Sequence, residues 1–302
     1  MVKNQKRAMQ FGIGAVLLWS TVATAFKLSL AHMSPVQLLL FASLSSAVGL
    51  TLILLLQGKL HLLARQWRAN PSQFVKSGLL NPFFYYLALF AAYDLLPAQQ
   101  AQALNYTWAI LLSLLAVPML GQKLRSWDVI AAVAAYIGVV VIATGGNIAS
   151  LQFDSPLGVG LALLSTLFWS LYWIVNTQDK GDPVASLLLS FLVALPCIIA
   201  VCAWRGELYL PAWQGLVGAV YVGLFEMGIT FVLWLTAMRS AERTAPLTNL
   251  AFLGPFLSLF FIAQILGEEI ASATIAGLCL IVTALLLQQL GPKLSALRQR
   301  AQ

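Results

Sequence analysis

Ten apolar runs, each close to the length of a membrane crossing, follow one another along this chain with almost nothing between them. They lie at about 8–30, 35–56, 74–93, 98–120, 127–144, 156–176, 185–204, 213–238, 245–266 and 272–290. A helix rises about 1.5 Å per residue, so roughly 20 apolar residues cross the hydrocarbon of a bilayer. The connections are short and carry turn-forming residues, as in His32-Met33-Ser34-Pro35 and Asp182-Pro183. Only 9% of the 302 residues are charged, where a soluble domain carries about 25%, and no stretch is long and polar enough for a soluble domain. Residues 11–30 follow basic residues as a signal peptide would, but the run is long enough to span and no small-residue cleavage site follows it. It reads as the first helix of the protein. The expected class is an all-α membrane protein of ten transmembrane helices.

The net charge of +7 does not indicate nucleic acid, because the basic residues sit in short loops between spans. With the N-terminus in the cytoplasm, ten crossings put every Lys and Arg except Lys27 and Arg205 on or near the cytoplasmic face. Both termini are therefore expected inside. Cys197, Cys202 and Cys279 lie in apolar runs without metal-ligand spacing and read as small buried hydrophobes. Trp67, Trp127, Trp204 and Trp213 fall at segment ends, where indoles anchor at the membrane surface.

The two halves echo one another. Leu17-Leu18-Trp19-Ser20 recurs as Leu167-Phe168-Trp169-Ser170, 150 positions on, and Leu120-Gly121 as Leu266-Gly267, 146 positions on. Five helices per half is an odd number, so the halves enter the membrane in opposite senses. That is the inverted-repeat plan of many carriers, whose sites lie between the halves near the midplane. The expected units are 1–147 and 153–291, with 292–302 as a cytoplasmic tail.

Glu226 is the one charged residue between Glu207 and Arg239, and it falls near the middle of its run. A carboxylate at that depth costs about 2.5–3.5 kcal/mol, so such residues face a cavity or a partner. Two functional roles are open to it, a proton carrier or a counter-ion for a substrate amine; a protonated acid bonding a neighbouring helix is the structural alternative. Thr24 and Lys27 share a face of the first helix, and Lys27 either snorkels to the interface or marks another level of the same pathway. Read at helical rise, Lys27 and Glu226 differ by about 15 Å in depth, too far for a direct pair. Trp169, Tyr172, Trp173 and Asn176 form a stripe on the sixth helix, a pattern that packing also produces. The fourth helix adds Asn105, Tyr106 and Trp108, the ninth Asn249, and the third Tyr86 with Tyr85 and Asn81, its first turn loosened by Pro82. Rings and amides around one acid suit a small amphipathic solute.

Leu18-Trp19-Ser20-Thr21 with Lys27, Leu104-Asn105-Tyr106-Thr107-Trp108, Gly121-Gln122-Lys123, Trp234 through Ala237, and Leu266-Gly267-Glu268 occur here in that order. In these the chain resembles the EamA-type members of the drug/metabolite transporter superfamily over nearly its whole length. The Asn-Tyr-x-Trp and Gly-Gln-Lys elements are similar to those of its aromatic amino-acid exporters, although Ala109 stands where those exporters have Pro. The resemblance implies an inner-membrane carrier that exports a metabolite from a cavity between the halves. On it, Trp19, Thr24, Lys27, Tyr86, Asn105, Tyr106, Trp108, Trp169, Trp173 and Asn249 are candidate substrate contacts, with Glu226 for coupling or for a substrate amine.

The implied partners are a small-molecule substrate, the lipid bilayer and, if Glu226 carries protons, a proton gradient. No nucleic acid, metal or other cofactor is expected, and monomer and homodimer both fit. Drug efflux and facilitated uniport are the nearest alternatives. A membrane-embedded enzyme is disfavoured, since His32 and His61 lie near interfaces without paired carboxylates and no phosphate loop is present. A sensor would need a soluble module, and a channel a filter-like segment.

Overall fold

The computed structural model describes residues 3–123, 126–147, 155–242 and 245–300, with the backbone alone at 239, 245, 248, 249 and 292–300. Six crossings are unbroken helices: α1 (Gln5–Leu30), α2 (Pro35–Leu56), α5 (Ser126–Ala143), α6 (Pro156–Asn176), α7 (Pro183–Trp204) and α10 (Ser272–Arg300). The other four are each made of two pieces. They are α3 (Pro71–Gly78 and Tyr85–Leu95), α4 (Ala98–Asn105 and Trp108–Leu120), α8 (Trp213–Phe225 and Ile229–Ser240) and α9 (Ala245–Ala251 and Gly254–Phe261). A short helix, His61–Ala69, joins α2 to α3. The ten apolar runs are thus recovered within a few residues, but the interruptions were not expected, and α10 continues through the segment set apart as a tail.

Local chemistry explains the ends. Ser34 closes a capping box with Gln37 ahead of Pro35, and Asp182 accepts from the Val184 and Ala185 amides ahead of Pro183. Gly121 and Gly267 end α4 and α9 in the left-handed conformation, both at φ 67°, which a side chain would resist. Pro82 does more than loosen a first turn: Asn81 leaves helical geometry (φ −145°, ψ 117°) and divides α3 near its middle. A side chain with Cβ on Gly228 would crowd the break in α8.

The breaks obey the repeat. Asn81 and Met227, Tyr106 and Phe252, and Gly121 and Gly267 are all related by the 146-residue offset seen in the sequence. Packing crosses between the halves: α1 lies against α8, α3 against α6, α2 against α7, and α5 against α10. The first piece of α3 docks through Gly78, where a Cβ would meet the Ser190 carbonyl of α7 at 2.5 Å. Gly223 does the same for α8, 2.2 Å from the Ala42 carbonyl of α2. Close helix approach inside a bilayer depends on such small residues, since water supplies no drive there. Near Gly138 and Gly277, α5 and α10 cross equally tightly, each missing Cβ 2.6 Å from the other's carbonyl.

A polar clamp ties the α2–α7 pair at each face. Lys59 pairs with Asp182 at 2.9 Å on one side, and on the other the Ser34 hydroxyl donates to Glu207. Burial opposes ionisation of Asp182, but bonds from Lys59 and from two backbone amides prevail and hold its carboxyl below the usual range. Glu207 is lowered too, its burial outweighed by Ser34 and Arg205. Of the cysteines, Cys202 is buried and Cys197 half-buried, but Cys279 is exposed on the outer surface of α10, against expectation. Trp204 and Trp213 stand 86% and 69% exposed, as surface anchors would.

Candidate functional site

The four interrupted helices meet around a cavity of about 530 Å³, walled also by α1, α6 and α10. A broken helix presents backbone and side chains that a continuous one keeps turned into its neighbours, and inside a membrane such breaks are tolerated where they line a cavity or are buried in protein. Glu226 sits at one of them. Its amide still bonds the Val222 carbonyl at 2.9 Å, so it caps the end of the first piece of α8. The Thr230 hydroxyl then donates to the Phe225 carbonyl across the gap.

The Glu226 carboxylate lines the cavity and accepts one hydrogen bond, from the Tyr86 hydroxyl at 3.1 Å. Neither ion pair found among the described residues involves it. A lone, half-buried carboxylate with one neutral donor retains capacity for a cation or a proton.

Around it stands a set of rings. Tyr85 stacks on Trp169 with centroids 4.5 Å apart, and Phe231 meets Trp19 edge-on at 5.8 Å. These two contacts are the same contact in the two halves, since Tyr85 and Phe231 are 146 residues apart and Trp19 and Trp169 are 150 apart. Trp108 stacks over Trp173 at 6.4 Å, and Trp234 lies 5.6 Å from Trp19. Ring faces attract cations by about 0.5–2 kcal/mol each when desolvated. Asn105 is fixed from both sides, donating to Ser165 at 3.1 Å and accepting from Tyr85 at 3.5 Å.

Of the residues singled out in the sequence, the cavity wall therefore holds Trp19, Asn105, Tyr106, Trp108, Trp169, Trp173 and Glu226. Tyr86 stands behind the wall, bonding Glu226 and packing edge-on against Tyr85. Thr24 is buried and does not line the cavity. Lys27 is also off the wall: its ammonium donates to the carbonyls of Tyr93 and Leu96 at 2.7 and 3.0 Å, closing the end of α3. The side chain of Asn249 lies outside the described residues. Sequence reasoning passed over Phe231, which the offset pairs with Tyr85, and the adjacent amides Gln288 and Gln289 near the end of an apolar run. Trp234, quoted there only for the resemblance, lines the wall as well, as do Gln102 and Phe252.

Two stretches, 6–144 and 156–288, match the model of the EamA-like transporter family. The chain belongs to that family. It is a multi-span transporter, of a family that implies a small-molecule substrate. It is 25% identical to the aromatic amino acid exporter YddG of Ancylobacter novellus, over 92% of this chain and 95% of that one. It is 25% identical to protein PecM of Dickeya dadantii (83% and 82%) and 23% to the uncharacterized transporter YoaV of Bacillus subtilis (89% and 92%). A solved crystal structure shares the fold with a TM-score of 0.66 and 24% identity, covering 95% of this chain and 98% of that chain.

Proposed function

We propose that this EamA-family transporter exports a small metabolite with an apolar body and an amine, an amino acid or a close relative, by alternating access between units 1–147 and 153–291. The observation that carries the reading is Glu226, the one carboxylate in a ring-walled cavity, left with a single neutral hydrogen-bond donor. The carboxylate takes the amine, the rings of Trp19, Trp108, Trp169 and Trp173 take the apolar part, and Asn105 orients what remains. The name of the A. novellus relative supports an aromatic amino acid as the first solute to test. On this reading the membrane is the inner membrane and both termini are cytoplasmic, which places the basic loops inside.

Drug efflux is the second reading, favoured by a wall that is mostly rings and aliphatic chains. Uptake of radiolabelled amino acids and of lipophilic cations into inverted vesicles separates the two. Glu226→Gln should lower transport of the amine-bearing solute about tenfold or more, since a hydrogen bond to a charged group contributes about 1.5–3 kcal/mol. If Glu226 carries protons instead, the variant loses the pH dependence of the wild type as well. An unchanged rate with an unchanged pH profile removes Glu226 from the mechanism.

A further inference from the structure

Two residues beyond Glu226, at the same break, three oxygen atoms converge that the carrier reading does not use. The first piece of α8 ends at Phe225, so its last carbonyls have no following turn to bond them. Val222 is provided for by the Glu226 and Met227 amides, and Phe225 by Thr230. The Gly223 and Leu224 carbonyls receive no backbone amide from beyond the helix. Facing them from α2 is Ser46, 0% exposed, whose hydroxyl is buried without a hydrogen-bond partner. The point that a Cβ on Gly228 would take lies 3.1 Å from the Gly223 oxygen, 3.3 Å from the Leu224 oxygen and 3.3 Å from the Ser46 oxygen. Those oxygens are the three nearest heavy atoms to it outside Gly228 and its two chain neighbours.

Three oxygens converging at the negative end of a half-helix, with a carboxylate two residues away in the chain, suit a hard cation. One acid and neutral oxygens give too little charge for a divalent ion, and no cluster of His, Cys, Asp or Glu with metal-binding numbers occurs among the described residues. We infer that the break in α8 is a monovalent cation site, with sodium as the ion of fitting size, held by the Gly223 and Leu224 carbonyls and the Ser46 hydroxyl.

The other half does not repeat it. By the 146-residue offset Glu226 and Gly228 correspond to Leu80 and Pro82, and matching Pro35 to Pro183, 148 positions apart, sets Ser46 against Ala194; these offer neither charge, nor room, nor a hydroxyl. A cation here fixes the two pieces of α8 relative to α2 at the break that carries Glu226, so its arrival and the solute's are coupled through one element. This coupling rests on the cavity being the solute site; the cation site itself does not.

The test is thermal unfolding of the purified full-length protein in NaCl, KCl and choline chloride at equal ionic strength. Sodium should raise the midpoint saturably, and choline should not. Ser46→Ala, a small change in a helix, should raise the half-saturating sodium concentration at least tenfold, while Ser45→Ala on the neighbouring position leaves it unchanged. Gly228→Ala, which sets a methyl group among the three oxygens, should abolish the response; if that variant does not fold, Ser46→Ala decides alone. Equal midpoints in all three salts, or a sodium response that Ser46→Ala leaves intact, would overturn the site. A protein blind to sodium whose transport still collapses in Glu226→Gln keeps the carrier and loses the cation. Sodium binding with transport indifferent to Glu226 does the reverse.

Discussion

Helices α3 and α8 are the same device built twice with different chemistry. Each docks its first piece through a glycine, Gly78 or Gly223, onto a carbonyl of the partner half. Each then breaks near its middle, and each sends a ring from its second piece to the tryptophan of the opposite half. At the break itself they part. In α3 the interruption is Asn81-Pro82, in α8 it is Glu226-Met227-Gly228. Backbone geometry and helix docking are therefore shared, while the charge at the break is confined to one half. A carrier built this way can rock about a symmetric frame and still bind asymmetrically.

The largest effect should come from attacking what the two helices share. Gly78→Val and Gly223→Val each force a side chain against backbone, and overpacking of that kind costs about 1–3 kcal/mol or more. Both variants should show sharply reduced yield of folded protein by size-exclusion chromatography, and to a similar degree. A normal profile for either would mean that the matched docking is not needed for folding.

Tyr86→Phe sharpens the contrast from the other side. It removes the one donor to Glu226 and leaves the fold alone, so solute affinity and pH profile should shift with about a fivefold loss of transport. Tyr85→Phe, which loses only a 3.5 Å bond to Asn105, should do less. Equal effects would show that the acid in α8 is not what distinguishes the halves.

The smallest effect is expected at the clamps on α2 and α7. Lys59→Ala should cost no more than about 1 kcal/mol of stability, because exposed pairs are screened. The sign of its pH dependence is fixed. Asp182 is held below its unfolded value, so its contribution is complete above the ordinary carboxylate range near 4 and fades as pH falls through the lowered value. Thermal midpoints between pH 7 and pH 3 should fall less steeply in Lys59→Ala than in the wild type; parallel curves would mean that the pair contributes nothing.

Much of this could be read without coordinates. Ten apolar runs gave ten crossings because a bilayer leaves the backbone few choices, and Trp19 with Trp169 and Gly121 with Gly267 marked the repeat. Seven of the eleven candidate residues do line the cavity, because an acid with rings and amides on facing helices favours a common hollow over lipid. Lys27 was misleading because a lysine near a helix end can cap a neighbouring helix as readily as face a pathway, and nothing in its own segment tells which. Phe231 and Gln288 were missed because one ring or amide among many carries no local signal.

The sequence by itself determined the crossings, the repeat and the position of one acid, because each follows from hydropathy and residue type along a single segment. Only the tertiary structure decided where four helices break, which carbonyls those breaks leave open, and which side chains share one cavity. Those depend on contacts between residues more than a hundred positions apart, and no single segment contains them.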